Sequence, residues 1–284
     1  MRKLHIAIGF SVLAAGLVIV PPVVESADHG DTPFLVGAGR HDARLTDLHT
    51  FRRGDNLVLA VAMNPAIPPS ATSYVFPSDL VVEINIDNNT PVTQDDSILN
   101  GGIIHDPEGI SADIKYRVTF SDSGTPSVHT IPGTGPDPEQ VFAGLRDDPF
   151  IRAPRTGRNI AAIVLEVPLA SVLDGQSTIL TWATVRLDGQ GMVELGARAL
   201  RNQFPENLCL NNVEPRHHLR ECNLAPDVII YDTSRTASFP NGRELADDVT
   251  DLVGDPRLLS NDQPFPTEND VPFLDVFPYY APPQ

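Results

Sequence analysis

Two stretches of this chain alternate apolar and polar side chains with a period of two. In "DLVVEINID", Val82, Ile84 and Ile86 fall on one side, and Val81, Glu83, Asn85 and Asp87 on the other. In "DIKYRVTF", Ile114, Tyr116, Val118 and Phe120 alternate with Lys115, Arg117 and Thr119. A strand turns successive side chains to opposite faces, so each stretch is expected to form a half-buried antiparallel strand. Residues 56–63, 160–167 and 179–187 add three more strands, and 160–167 is so continuously apolar that both its faces are expected to be covered. The 27 prolines are spread along the chain and punctuate long loops at 64–78, 88–111, 132–158 and 202–226. This pattern predicts a mainly β fold, an antiparallel β-sandwich with long Pro/Gly-rich loops. Leu245, Val249, Leu252 and Val253 recur at helical spacing after Asn241, a candidate N-cap, and predict a short C-terminal helix.

The N-terminus reads as an export address. Arg2 and Lys3 precede an apolar run at 6–20, and Val24 and Ser26 stand at the minus-three and minus-one positions of a signal-peptidase site. The run is shorter than the roughly 18–20 residues a membrane span requires, and no other stretch approaches that length. The expectation is a signal peptide at 1–26, then one β-sandwich domain at 27–284 with a C-terminal extension, secreted or periplasmic, with no membrane span after cleavage. No internal repeat or domain boundary interrupts 27–284. The formal net charge is −17, and losing Arg2, Lys3 and Glu25 makes the remainder slightly more acidic. Phosphate backbones require clusters of Lys and Arg, so nucleic acid is not an expected partner, and no protein partner is indicated. Cys209 and Cys222 are the only cysteines. In an oxidising compartment they are expected to pair, closing a short loop worth about 3 kcal/mol in the chain-entropy account.

Candidate chemistry concentrates near the new N-terminus. His29, Asp31, His41, Asp42, Asp47 and His49 offer imidazole nitrogens and carboxylate oxygens suited to a divalent cation such as copper or zinc. His29 and Asp31 lead, with His41 and Asp47 next. Cleavage before Ala27 would also place the α-amine, two amide nitrogens and His29 around one square-planar copper or nickel ion. Calcium is the other ionic reading: "DNNTPVTQDD" holds Asp87, Asn88, Asn89, Asp95 and Asp96 just after a strand, although Pro91 breaks the EF-hand pattern, and an Asx-rich turn competes. His217 and His218, inside the cysteine loop, are secondary contacts for a ligand. The chain has no GxSxG elbow, P-loop, GxGxxG or CxxCH. The readings are an exported binder of a metal ion or small ligand, a hydrolase using Asp148 or Asp247 beside an arginine, and a structural or adhesive surface module.

Several stretches, in order, carry a resemblance: "DHGDTPFL", "RHDARLTDLHTF", "FPSDLVVEINID", "FAGLRDDPFI", "RTGRNIAAIVLEVP", "FPNGRELADDVTDLV" and "FPYYAPP". Together they resemble the bacterial secreted family catalogued as domain of unknown function 4331, over essentially the whole chain after the leader. The resemblance implies export and architecture and brings no established activity. It singles out His29, Asp31, Asp47, Asp87, Arg146, Asp147, Asp148, Asn241, Gly242, Arg243, Asp247 and Asp248. The chain departs from the family at "ELGARALRN", where Glu194 and Ala199 stand in place of an arginine and a proline. Arginine can grip a carboxylate through two parallel hydrogen bonds, so Arg146, Asp148, Asn241, Arg243 and Asp247 form either a ligand site or a buried network tying the C-terminal helix to the sandwich.

Overall fold

The computed structural model describes residues 32–133, 135–149, 157–202, 204–253 and 268–284. Its strands are β1 (Leu45–Arg53), β2 (Asn56–Ile67), β3 (Leu80–Asp87), β4 (Val92–Gln94), β5 (Gly102–Ile104), β6 (Ile114–Phe120), β7 (Pro126–Ile131), β8 (Gln140–Asp147), β9 (Asn159–Pro168), β10 (Thr178–Leu187), β11 (Gly191–Gly196) and β12 (Ile229–Asp232). They form two packed antiparallel sheets, as the alternation predicts. A four-stranded sheet has the order β1-β2-β9-β8, and a six-stranded sheet the order β11-β10-β3-β6-β7, with β12 sharing the outer edge of β10 with β11. β4 and β5 pair as a small hairpin inside the long loop at 88–111. β1 and β8 lie in stretches whose sequence did not announce a strand.

Register explains the burial. Ile84 lies opposite Tyr116 and Ala183, and Val82 opposite Val118 and Val185, so the apolar set of three strands shares one buried face. The other face carries Glu83, Asn85, Lys115, Arg117, Trp182, Thr184 and Arg186. In the four-stranded sheet β2 and β9 are buried along nearly their whole length, as the unbroken apolar run at 160–167 requires. One face meets the six-stranded sheet, where Thr50 and Thr181 join their hydroxyls at 2.7 Å. On the other, His49, Ala60 and Val164 form one row across β1, β2 and β9. The C-terminal segment crosses this face: Tyr279 and Tyr280 set their rings edge-on to Phe51 and His49, and Gln284 exchanges two hydrogen bonds with Asn159.

Among the described residues the late helix is α3, after α1 (Pro33–Gly37) and α2 (Leu169–Val172), and spans Val249–Val253. Asn241 is not its cap. The Asp248 carboxylate accepts the Asp251 N–H, the usual service of an Asp at a helix start. Asn241 instead closes the turn that leads to Gly242 and Arg243. Gly242 N–H donates to Ile230 O of β12 at 2.8 Å, while Arg243 exchanges two backbone hydrogen bonds with Thr50 of β1. Two consecutive residues thus join the two sheets.

Gly242 has φ +70°, and an added Cβ would lie 2.8 Å from Thr50 O and from the Tyr231 ring. Backbone strain and overpacking each cost about 1–3 kcal/mol. Gly242→Ala is therefore expected to lower unfolding free energy by about 2–4 kcal/mol in a urea titration, and a loss below about 0.5 kcal/mol would show that the crossing is loose.

Candidate functional site

His29 and Asp31 lie outside the described residues, as does the Ala27–His29 copper motif. His41 meets Arg44 through Nδ1 at 2.6 Å, and the Asp47 carboxylate is ion-paired with Arg243. His49 faces the Tyr280 hydroxyl at 3.2 Å, and burial, with the nearby Arg243 charge, holds its imidazole well below the ordinary histidine range. Asp42 is ion-paired with Arg40 at 2.8 Å, so three arginines engage the described members of the N-terminal cluster, and among the described residues no group of three or more His, Cys, Asp or Glu side chains could hold a metal ion. The calcium loop resolves into turn chemistry. Asp87 accepts from the Asn89, Thr90 and Ser111 N–H groups and the Thr90 hydroxyl, Asp95 accepts from Ser97, and Asp96 pairs with Arg235. Copper, zinc and calcium therefore have no assembled ligand set among the described residues.

Among the described residues no contact joins the two Arg/Asp motifs. Arg146 of β8 packs over the Phe142 ring at 4.0 Å and donates to its neighbour's carbonyl, while Asp148 is buried with its N–H on Arg158 O. Arg243 belongs to the opposite edge of the sheet, beside β1. Asn241 accepts from Asp232 N–H and donates to Thr236 O, and Asp247 accepts from the Phe239 and Glu244 N–H groups. Asp148 follows β8 and Asp247 sits in the turn after Arg243, beside the strands at the two ends of the order β1-β2-β9-β8. The tie to the sandwich runs through Arg243 and Asp47, with Arg146 standing apart.

Cys209 and Cys222 are joined as a disulfide, with Cα atoms 5.7 Å apart. Within their loop, buried His218 accepts the Asp227 N–H on Nδ1 and contacts Val213 O through Nε2 at 2.7 Å. That pattern selects the neutral tautomer with the proton on Nε2, and burial lowers the pKa further. His218 therefore braces the loop, and His217, 3.6 Å from Glu221, stands toward its surface.

The bracing has a consequence on the outer face of the six-stranded sheet. Trp182, Asn85, Lys115 and Ile131 stand opposite one another on β10, β3, β6 and β7, forming one row. An open cleft of about 390 Å³ lies over this row, at the small end of the range of roughly 300–1,000 Å³ typical of ligand pockets. One wall is Ile110–Ala112, anchored where Asp87 accepts the Ser111 N–H. The other is Glu214–Arg216 from the disulfide loop. Trp182 is only 3% exposed, and its Nε1–H has no hydrogen-bond partner among the described residues. Beside the cleft, Glu83 is fully buried and receives Lys115, Arg117 and Arg186 at 2.6–3.1 Å. Burial alone would raise its pKa, but Arg186, Arg117 and Lys115 hold it at about 2.

None of the cleft residues was singled out by sequence. Lys115 and Arg117 read as the solvated half of an alternating strand and Trp182 as part of an apolar run. The visible signal was a row of polar positions on three strands, which becomes a site only when the register is known. No family model matches the chain, and no curated protein or solved structure matches it.

Asp147, the neighbour of Asp148, links β8 to the C-terminal segment by accepting from Asn269 at 2.7 Å and Gln284 at 2.9 Å. Burial pushes its carboxyl up to about 6, against the lowering effect of those two donors. A raised carboxyl pKa favours the folded state fully below the unfolded value and loses that contribution as pH rises through the folded one. The melting temperature of Asp147→Asn minus that of the unsubstituted protein is therefore expected to increase as pH rises from about 4 to about 6 and to level off above that. A difference independent of pH would show that the carboxyl titrates normally.

Proposed function

We propose that this chain is an exported β-sandwich protein that binds a small organic molecule in the cleft across its six-stranded sheet. The single observation that carries the reading is the cleft itself. Strands that bury their apolar side chains inward leave a polar row outward, and two loops, each fixed by its own buried interactions, wall that row on both sides. Concave sites lined by apolar groups with a few polar ones are where small molecules are usually held. Export rests on the leader-like residues 1–26 and on the disulfide, a bond favoured outside the reducing cytosol. The motifs resembling the secreted family of domain of unknown function 4331 support the same address, with the chain as a divergent member. The metal reading retains only His29 and Asp31, because His41 and Asp47 are each engaged by arginine.

Trp182 is the only tryptophan in the chain, so its emission reports on the cleft without interference. Across a panel of small anionic, neutral and cationic compounds, at least one is expected to shift that emission saturably and raise the melting temperature. A panel in which no compound does either overturns the proposal.

A further inference from the structure

Resting on the cleft as the binding site, we infer that its ligand is an organic monocarboxylate with a compact apolar body. The first support is charge. The chain carries a net charge of −17, yet the cleft and its rim gather Lys115, Arg117, Arg186 and Arg216, beside Glu83, Glu214 and, behind the wall on the Ser111 N–H, Asp87. Glu83 and Asp87 are buried, so the charges that reach the surface here are the four cations and Glu214, and such a patch concentrates anions.

The second support is which of those cations is available. Lys115, Arg117 and Arg186 all converge on Glu83. Arg216 lies on the cleft wall and makes no hydrogen bond or ion pair to the described residues. Its planar fork matches a carboxylate through two parallel hydrogen bonds. The turn that bears it is held by buried Pro215, by the disulfide and by His218 on Val213 O, so the guanidinium is presented from a fixed base.

The third support is the remaining lining. Ala112, Ile131 and Pro132 supply apolar contact for a hydrocarbon body. Trp182 is too buried to offer a stacking face, which disfavours a neutral sugar. Glu214 on the wall and Glu83 beneath the rim oppose a doubly charged phosphate more strongly than a single carboxylate.

The test titrates 3-phenylpropanoate, 3-phenylpropanamide, 3-phenylpropylamine and inorganic phosphate into the full chain, following Trp182 emission and, in parallel, heat by calorimetry. The carboxylate is expected to bind at least about ten-fold more tightly than the amide, the amine or phosphate, and to weaken as salt is raised. Arg216 is exposed, so Arg216→Ala should leave the melting temperature unchanged while weakening the carboxylate about ten-fold and leaving the amide unaffected. Arg216→Lys should restore only part of the loss. Equal binding of carboxylate and amide, phosphate binding as tightly as the carboxylate, or Arg216→Ala without effect would overturn this inference and leave the cleft as a binding site. Failure of all four probes, and of every compound in the wider panel, would instead remove the cleft reading itself.

Discussion

Burying β2 and β9 on both faces dictates how every other segment of the described chain is placed. Leu57, Leu59, Val61, Ile163 and Leu165 are each fully buried, and side chains of this size contribute about 1.5–3 kcal/mol apiece when removed from water. Two such strands at the centre of a sheet require a cover above and a cover below. The six-stranded sheet supplies one. The C-terminal segment supplies the other, threading Tyr279 and Tyr280 against Phe51 and His49 and ending on Asn159. The cover brings polar groups with it, and that is why a histidine, an asparagine and an aspartate are buried in what the sequence presents as apolar territory.

The charged motifs serve the same architecture. Gly242 and Arg243 join β12 of one sheet to β1 of the other through backbone hydrogen bonds, and the Arg243 side chain meets buried Asp47. A buried ion pair gives little net stability over an apolar replacement, but removing one partner costs about 3–5 kcal/mol because the other charge is stranded. Such pairs act as registration devices: they penalise every arrangement in which the two segments fail to meet. Asp87 and Asp247 work by the same logic at shorter range, accepting backbone N–H groups that would otherwise be unpaired at turns. The binding reading moves accordingly, from the acidic and histidine-rich motifs to a face whose residues looked like ordinary solvated strand positions.

Legibility followed the strength of the periodic signal. β3 and β6 were plain, because alternation over seven or eight residues has one physical explanation. β1 was hidden: "LTDLHTFRR" mixes Asp47, His49 and Thr50 with its apolar positions and carries an irregular register between Leu45 and Asp47. Its polar side chains looked like ligands because nothing local reveals Arg243, nearly two hundred residues away. β8 lies in a stretch that reads as long loop, since Gly144 and Arg146 interrupt its apolar pattern. The helix was visible near Leu245–Val253, but its start was not. Asn241 and Asp248 are both good caps, and only the turn through Gly242 assigns one of them elsewhere.

Antiparallel sheets, the inward faces of β3 and β6, the double cover of the run through β9 and the closing of a loop by two cysteines are all legible in the residues alone. These follow from local periodicity and from the chemistry of single residue types. Tertiary structure alone decided which aspartate meets which arginine, that the two Arg/Asp motifs sit at opposite edges of one sheet, and that Trp182, Lys115 and Arg216 share a cleft. The reason is that strand register and loop packing bring together residues far apart in the chain, and neither leaves a mark in the local alternation that a sequence displays.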